Sequence, residues 1–251
     1  MSNSGCNYKI KGGVFYKSNG EYPLKRLILQ TFKQDDFKFH DYYGIIKTPE
    51  IYGYTISDNK ATVRMEYIKG KLATDYILEN DIDKCISKLQ TIKNYINFNL
   101  VYSENAIIPN HVFHNKLDEI TSKTNIKFGI QIPDLVVPTG YYHGDLTLSN
   151  MFWETKDDSI YFFDFLDTKP DTPYWDIAKL QQDLKYRWFL RNQEIDLDLD
   201  WKLRRLSSII DSGYDLQTLK YFEYMTLARI LPYVNKQTQN WIINKLGTID
   251  V

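Results

Sequence analysis

One short segment constrains the fold of this chain more than any other. Residues 143–150 read His-Gly-Asp-Leu-Thr-Leu-Ser-Asn, and two apolar stretches follow at 151–153 and 160–163, separated by a polar turn. Both stretches are rich in strand-forming residues, so the pattern predicts a β-hairpin directly after Asn150. Because the second strand runs back toward the start of the first, Asp164 at its end is expected to lie beside Asn150.

Three polar residues of this segment have the types and the order that phosphoryl transfer requires. Such a site needs a carboxylate that accepts the proton of a hydroxyl, and oxygen ligands that hold Mg²⁺ against a triphosphate. We therefore expect Asp145 to be the catalytic base, and Asn150 and Asp164 to be the magnesium ligands. His143 is expected to pack under the loop and hydrogen-bond its backbone.

The pattern His-Gly-Asp-x-x-x-x-Asn with a later strand ending in Asp resembles the aminoglycoside phosphotransferase and choline kinase family, a branch of the protein-kinase-like fold. The resemblance implies an α+β, bilobal chain, with a small β-rich lobe at residues 1–67 and a larger, mostly helical lobe at 68–251. Gly144 and Leu166 disfavour a protein kinase, which has Arg and Gly at these places. Leu166 also replaces a frequent family Glu, which leaves the role of Asp167 open.

A second family-like segment, Pro-Tyr-Trp-Asp-Ile-Ala, spans residues 173–178 and begins a helix. Asp176 occupies the position of an N-cap, where its carboxylate would accept hydrogen bonds from free backbone N–H groups. The resemblance implies that Asp176 also braces the catalytic loop from below. A cap without a further role is the alternative interpretation.

The first third of the chain has the pattern of a small lobe. Two short strands around the Gly12-Gly13 turn precede a helical pattern that includes Leu24 and Phe32. The resemblance implies a glycine-bearing loop and a strand lysine that contact the phosphates, and the candidates are residues 4–7 and Lys17. Lys9 and Lys25 are the substitutes for Lys17.

The helix of this lobe lacks the glutamate that would pair with the lysine. No Glu occurs between Pro23 and His40, so Gln30, Gln34 or Asp35 would have to serve, or the ion pair is absent. This gap is the one feature that supports a non-catalytic nucleotide-binding protein.

The segment Met-Glu-Tyr-Ile-Lys-Gly at residues 65–70 resembles the family's hinge between the lobes. The resemblance implies that the backbone of Glu66 and Ile68 binds the purine of ATP or GTP, and that Phe152 closes the purine pocket from the large-lobe side. An edge strand without a ligand is the alternative.

Acidic and aliphatic residues alternate from Glu194 to Asp200, where this family builds its acceptor site. With Trp188 and Trp201 nearby, the acids could attract a hydroxyl compound that carries rings or a positive charge. A solvated edge or loop is the simpler interpretation. We expect a sugar-like acceptor first, an amino alcohol such as choline second and an aminoglycoside third.

Composition excludes several other classes of protein. The 251 residues suffice for one kinase-like unit, and the net charge of -1 provides no basic field for nucleic acid or membranes. The sequence has no signal segment and no apolar run of about 20 residues, so a cytoplasmic location is expected. Cys6 and Cys85 suggest no disulfide framework, and Cys85 has the setting of a small buried hydrophobe. No P-loop motif is present.

Overall fold

The computed structural model describes residues 5–21, 23–37, 42–101, 103–166 and 168–251. Ser4 of the candidate phosphate loop and Asp167 lie outside these residues. The strands are β1 (Asn7–Lys11), β2 (Val14–Ser18), β3 (Ile46–Lys47), β4 (Ile51–Ser57), β5 (Lys60–Glu66), β6 (Gly70–Leu72), β7 (Asn105–Ile108), β8 (Leu135–Pro138), β9 (Met151–Thr155) and β10 (Ile160–Phe162). The helices are α1 (Leu24–Asp36), α2 (Ala73–Glu79), α3 (Ile82–Val101), α4 (Asn110–Thr124), α5 (Tyr174–Leu184), α6 (Leu197–Asp211), α7 (Leu216–Ala228) and α8 (Lys236–Leu246).

The amino-terminal part is built on an antiparallel sheet with the strand order β1-β2-β5-β4. Gly12 and Gly13 join β1 to β2 with φ values of 58° and 77°, which are the left-handed angles that a tight hairpin turn needs. Helix α1 covers one face of this sheet, because its Leu27 packs against residues of β5. The predicted hairpin and helix are therefore confirmed.

A second sheet, with the order β3-β10-β9-β6, contains the hairpin that follows residues 143–150. Strands β9 and β10 form the predicted antiparallel hairpin, and β3 pairs with β10 in parallel. Through β3, the fully buried Ile46 belongs to the same hydrophobic core as the large-lobe helices, and Phe37 does as well. Part of the amino-terminal segment thus helps to build the larger core.

The carboxy-terminal part is mostly helical. Helix α5 lies at its centre and packs against α6 and α7, while α3 packs against α6. Cys85 on α3 is a fully buried free thiol, as its apolar surroundings predicted. The α+β architecture expected from the sequence, with a β-rich first part and a helical second part, is confirmed. Among the described helices, none is long and apolar enough to cross a membrane.

Candidate active site

The octapeptide and the hairpin bring the three predicted catalytic side chains to one place. Asn150 ends a short 3₁₀ turn immediately before β9, and Asp164 follows β10 in a left-handed conformation with φ of 61°. The Asn150 Nδ2 donates to Oδ2 of Asp145 at 3.0 Å and to its backbone oxygen at 2.8 Å. Asp145, Asn150 and Asp164 all line one cavity of about 410 Å³.

Asp145 carries its negative charge within this cavity. Burial acts to raise the pKa of its carboxyl group, but Lys179 and the hydrogen bond from Asn150 outweigh burial, so the pKa lies below its ordinary value. The Lys179 Nζ lies 3.0 Å from Oδ1 of Asp145. An ionised carboxylate is the form that can accept a proton from a hydroxyl group.

His143 has the contacts of a structural residue. Its Nε2 lies 2.9 Å from the Phe163 carbonyl oxygen, and its Nδ1 accepts from the Asp145 N–H at 3.2 Å. These partners assign the proton to Nε2. The ring is fully buried, with its centroid 4.1 Å from that of Phe165. Burial lowers the pKa of His143 to about 4, which keeps the imidazole neutral.

Asp176 holds the loop from the side of α5. Its two carboxylate oxygens accept from the His143 N–H at 2.6 Å and from the Gly144 N–H at 2.7 Å. The prediction of an N-cap is wrong, because Pro173 has that position and Asp176 lies in the first turn. Its carboxylate serves another segment instead of its own helix. Burial raises the pKa of Asp176 to about 6.

The middle residue of the triplet must be a glycine. Gly144 has φ of 90°, and a Cβ placed on it would lie 2.1 Å from the Leu166 carbonyl oxygen. The Leu166 N–H donates to the His143 carbonyl at 3.0 Å, so two backbone segments cross here in contact. No larger side chain fits at this crossing, which agrees with the distinction from protein kinases made above.

Two residues of α5 belong to the site and were not predicted. Lys179 pairs with Asp145, and Asp183 accepts from the Leu148 N–H at 2.7 Å. The Oδ1 of Asp183 is buried without a hydrogen-bond partner in the described part of the chain, and burial raises its pKa to about 7. Both residues follow Asp176 at helical spacing, which was the available signal.

Lys17 reaches the same cavity from β2. Its side chain is almost fully buried, and its Nζ lies 2.7 Å from Oδ1 of Asp164. Burial acts to lower the pKa of Lys17, but the carboxylate of Asp164 raises it overall, so the ammonium is charged. Lys9, one substitute, faces a groove on the sheet of the small lobe. The other substitute, Lys25, lies exposed on α1.

The partner of Lys17 is therefore not a residue of α1. Gln30 lines the cavity, and Gln34 donates from Nε2 to the Pro49 carbonyl at 3.0 Å. From the candidate phosphate loop, Cys6 lines the cavity, and Gly5 has φ of 67°.

A smaller cavity of about 140 Å³ adjoins the site at the predicted hinge. Glu66, Ile68 and Phe152 all line it, and Asp164 lines both cavities. The Glu66 N–H donates to the Glu50 carbonyl at 2.8 Å, which leaves the Glu66 carbonyl as the group that could contact a base. The rest of the lining is largely apolar and aromatic, and it comprises Tyr8, Phe15, Gln34, Pro49, Met65, Tyr67 and Phe163.

The glycine of the hinge motif has a packing role. A Cβ on Gly70 would lie 2.9 Å from the Phe152 Cβ. Strands β6 and β9 pair across this point, and the Phe152 ring lies against Phe163 with centroids 4.8 Å apart. The absence of a side chain at Gly70 thus lets the hinge approach the aromatic wall of the pocket.

The donor set fits a magnesium ion that is bound together with a nucleotide. Asn150 and Asp164 offer an amide and a carboxylate, whereas Mg²⁺ usually takes one or two protein carboxylates and completes its shell with phosphates and water. Within the described ranges, no group of three or more His, Cys, Asp or Glu side chains is arranged to hold a metal. The residues thus fit a shared site better than an all-protein one.

The acidic stretch before α6 is not part of this cavity. Asp196 caps α6 by accepting from the Leu199 N–H at 2.7 Å. Asp200 pairs with Arg187 at 2.9 Å and with Arg204 at 2.6 Å. None of the described residues between 194 and 201 lines the cavity around Asp145. The geometry gives no support to the hypothesis that these acids bind the acceptor.

Comparisons with known proteins agree with this arrangement. Residues 129–204 match the sequence model of the phosphotransferase enzyme family, and this range includes the octapeptide, the hairpin and α5. A comparison with curated protein sequences gives no match.

Several solved structures share the fold. A thermostable mutant of aminoglycoside phosphotransferase APH(4)-Ia in its apo form gives a TM-score of 0.58 at 12% identity, over 96% of this chain and 88% of that one. A variant of the same enzyme, in a ternary complex with AMP-PNP and hygromycin B, gives 0.55 at 12% identity, over 98% and 93%. A structure from Haemophilus somnus that carries the description of a fructosamine-3-kinase gives a TM-score of 0.50 at 14% identity, over 93% of this chain and 83% of that one.

These matches agree with the resemblance seen in the motifs. The fold similarity covers nearly the whole chain, whereas the family signature covers the segment that carries the candidate catalytic residues. The chain therefore shares the fold of these aminoglycoside phosphotransferase structures, and residues 129–204 carry the signature of the phosphotransferase enzyme family.

Proposed function

We propose that this protein transfers the γ-phosphate of ATP or GTP to a hydroxyl group of a small molecule. One observation carries the proposal: Asp145, Asn150 and Asp164 line a single cavity that adjoins the pocket of the hinge. A nucleotide base in the hinge pocket would place its phosphates beside Asp164, and an acceptor would enter next to Asp145.

The base would lie between aromatic residues of both lobes. Phe15 of β2 and Phe152 of β9 both line the hinge pocket. The Ile68 N–H, which has no partner among the described residues, and the Glu66 carbonyl would provide one donor and one acceptor.

The phosphates of the nucleotide would contact a metal ion and two lysine side chains. Asn150 and Asp164 would hold Mg²⁺, which when bound would neutralise and orient the triphosphate. Lys17 would contact the phosphates from β2, since its ammonium already lies at Asp164. Lys179 would face the transferred group, because its ammonium lies beside Asp145 in the same cavity.

In the reaction, the acceptor oxygen forms a bond to the γ-phosphorus as the bond to the β,γ-bridging oxygen breaks. Asp145 accepts the hydroxyl proton, and the nucleoside diphosphate leaves with the bridging oxygen. His143 and Asp176 take no part in these steps. They hold the backbone that presents Asp145.

A screen of phosphate transfer tests the proposal. The protein with Mg-ATP or Mg-GTP is incubated with a panel of small hydroxyl compounds, and mass spectrometry detects products that gain a phosphate. We expect stoichiometric formation of one phosphorylated product and one nucleoside diphosphate. Failure to bind either nucleotide in calorimetry would contradict the proposal independently of the panel.

A further inference from the structure

Positive charge dominates the lining of the cavity around Asp145. Among the residues that the structure describes, the acids on its wall are Asp145 and Asp164, and each is already paired with a lysine. The cations on its wall outnumber them, and they are Lys17, Arg26, Lys116, Lys179 and Arg229. A small cationic cavity attracts anions and repels amines, because charges act strongly where water is partly excluded.

Two of these cations lie on the side of the cavity formed by the large-lobe helices. Lys116 projects from α4, and Arg229 follows the last residue of α7, where Ile230 and Tyr233 complete the wall. Neither residue lines the hinge pocket. Asp164 borders both the hinge pocket and the larger cavity, whereas these two cations and Asp145 border the larger cavity. We therefore assign the two cations to the acceptor and not to the base of the nucleotide.

Arg229 has no anionic partner of its own. Among the described residues, no carboxylate forms an ion pair with it, and no hydrogen bond to its guanidinium is present. The group lies against the ring of Trp175, 5.1 Å from the centroid. It is half-buried. A half-buried guanidinium is stabilised when an anion pairs with it in bidentate fashion.

Arg229 is close enough to Asp145 for their charges to interact. Burial lowers the pKa of the Arg229 guanidinium, the carboxylate of Asp145 acts to raise it, and Arg26 acts to lower it. The Lys116 Nζ lies 2.6 Å from Oε2 of Glu119 on the same helix, and the two side chains are 35% and 43% exposed. Such an exposed pair is weak, so Lys116 can turn to a ligand.

We propose that the acceptor is an anionic hydroxyl compound, whose carboxylate or phosphate group binds Arg229 and Lys116 while its hydroxyl lies at Asp145. This inference rests on the proposed function and specifies its substrate class. It keeps the sugar-like skeleton expected first from the sequence. Amino alcohols and aminoglycosides are disfavoured, because their ammonium groups would meet Arg229, Lys116 and Lys179.

The transfer itself is unchanged by the anionic group. The hydroxyl oxygen of the acceptor forms the new bond to the γ-phosphorus, its proton passes to Asp145, and the nucleoside diphosphate departs. The carboxylate or phosphate of the acceptor stays bound at Arg229 and forms no covalent bond. The bound anionic group contributes to the rate by holding the acceptor hydroxyl in position at Asp145.

A charge-matched panel tests the inference. Glucose, glucuronate, glucose 6-phosphate and glucosamine share one skeleton, and glycerol, glycerate, glycerol phosphate and serinol share a smaller one. We expect kcat/KM to be higher by about 10- to 100-fold for an anionic member than for the neutral and amino members of its set, the range of a charge-assisted pair. Comparison of the carboxylate members with the phosphate members shows which of the two anionic groups the site prefers.

Variants of Arg229 and Lys116 test whether these side chains bind the anionic group of the acceptor. Arg229→Gln and Lys116→Gln should each raise the KM for the anionic acceptor by about tenfold or more and leave the KM for Mg-ATP nearly unchanged. Arg229→Lys should restore part of the affinity. Arg205→Gln, an exposed arginine on α6, is the matched control and should change neither constant. Thermal unfolding of each variant identifies any that fail to fold, and Lys116→Gln then provides the test.

Three outcomes would overturn the inference. A preference for glucosamine or serinol would contradict it and leave the proposed function intact. A rise in the KM for Mg-ATP alone would assign Arg229 and Lys116 to the triphosphate. Absence of Mg-nucleotide binding, or of transfer to any member of the panel, would count against the proposed function and remove this inference with it.

Discussion

At the scale of single residues, Asp164 is the point where the two cavities and the two lobes meet. Its carboxylate binds Lys17 of β2 and lines both the hinge pocket and the larger cavity. Under the proposed function, a residue with this position would contribute to nucleotide binding, whereas Asp145 would act on the acceptor hydroxyl. The two aspartates should therefore differ when each is replaced.

We predict that Asp164→Asn weakens binding of Mg-ATP, because it removes a magnesium ligand and the partner of Lys17. Calorimetry with ATP, with and without Mg²⁺, measures the effect. The metal-dependent part of the affinity should be lost, while Asp145→Asn keeps it. Equal magnesium dependence in Asp164→Asn and the wild type would exclude Asp164 as a ligand.

We predict that the buried imidazole of His143 makes the stability of the protein depend on pH. Its pKa is about 4 in the folded protein and 6.5 when unperturbed. The unfolded chain thus binds the proton more readily, so the contribution of His143 to stability is complete above pH 6.5 and is lost as the pH falls toward 4. The loss is at most roughly 3 kcal/mol, since one unit of pKa corresponds to about 1.36 kcal/mol.

Urea unfolding of the wild type and of His143→Gln between pH 4 and 7 isolates this contribution. As the pH falls, the wild type should lose stability relative to His143→Gln, because the imidazole of the wild type takes up a proton on unfolding and glutamine does not titrate. A difference that is constant over this range would show that His143 is not a buried neutral imidazole.

At the scale of elements, the hairpin β9–β10 and helix α5 together form the site. The hairpin carries Asn150 and Asp164 at its open end. Helix α5 holds the loop that precedes the hairpin, residues 143–150, through Asp176 and Asp183. The loop is thus held at two points by buried carboxylates of one helix. Its geometry also depends on the close crossing at Gly144.

We predict that Gly144→Ala reduces both stability and turnover. The added Cβ would lie 2.1 Å from the Leu166 carbonyl, so the backbone must move in addition to the strain of a left-handed alanine. Gly213→Ala is the matched control, because Gly213 has φ of 95° and open space around it. Thermal unfolding and kcat of the two variants measure the difference, and equal behaviour of both would contradict a tight crossing at Gly144.

The sequence predicted the elements whose signals are local. Strand-forming residues around a polar turn were sufficient for β9–β10, and two glycines were sufficient for the β1–β2 turn. The capping rule failed at Asp176, because its carboxylate turns to His143 and Gly144. The alternation after Glu194 gave no helical signal, although α6 begins at Leu197.

Other features of the site depend on contacts that are distant in sequence. Helix α5 is buried on nearly all sides, so its pattern of apolar residues did not distinguish the functional face with Lys179 and Asp183. Arg229 and Lys116 line one cavity because α4 packs against α7 and the turn that follows it. No local motif contains both residues, so the acidic stretch near Asp198 was the one local pattern that could suggest an acceptor site.

At the scale of the whole molecule, the fold places two different binding regions on either side of one loop. The hinge pocket is small and aromatic, and the larger cavity is cationic. Asp145 lies in the larger cavity, with Asp164 common to both. This arrangement suits a reaction in which a nucleotide and a small acceptor meet at one carboxylate.

The effect of Asp145→Asn on acceptor-dependent formation of ADP tests this account most directly. Asn has nearly the same shape as Asp but cannot accept the proton, so turnover should fall by on the order of 10²- to 10⁴-fold. Mg-ATP affinity should change little, and Asp83→Asn, at an exposed aspartate of α3, should retain full activity. Near-normal turnover of Asp145→Asn in a correctly folded protein would contradict the assignment of Asp145 as the catalytic base.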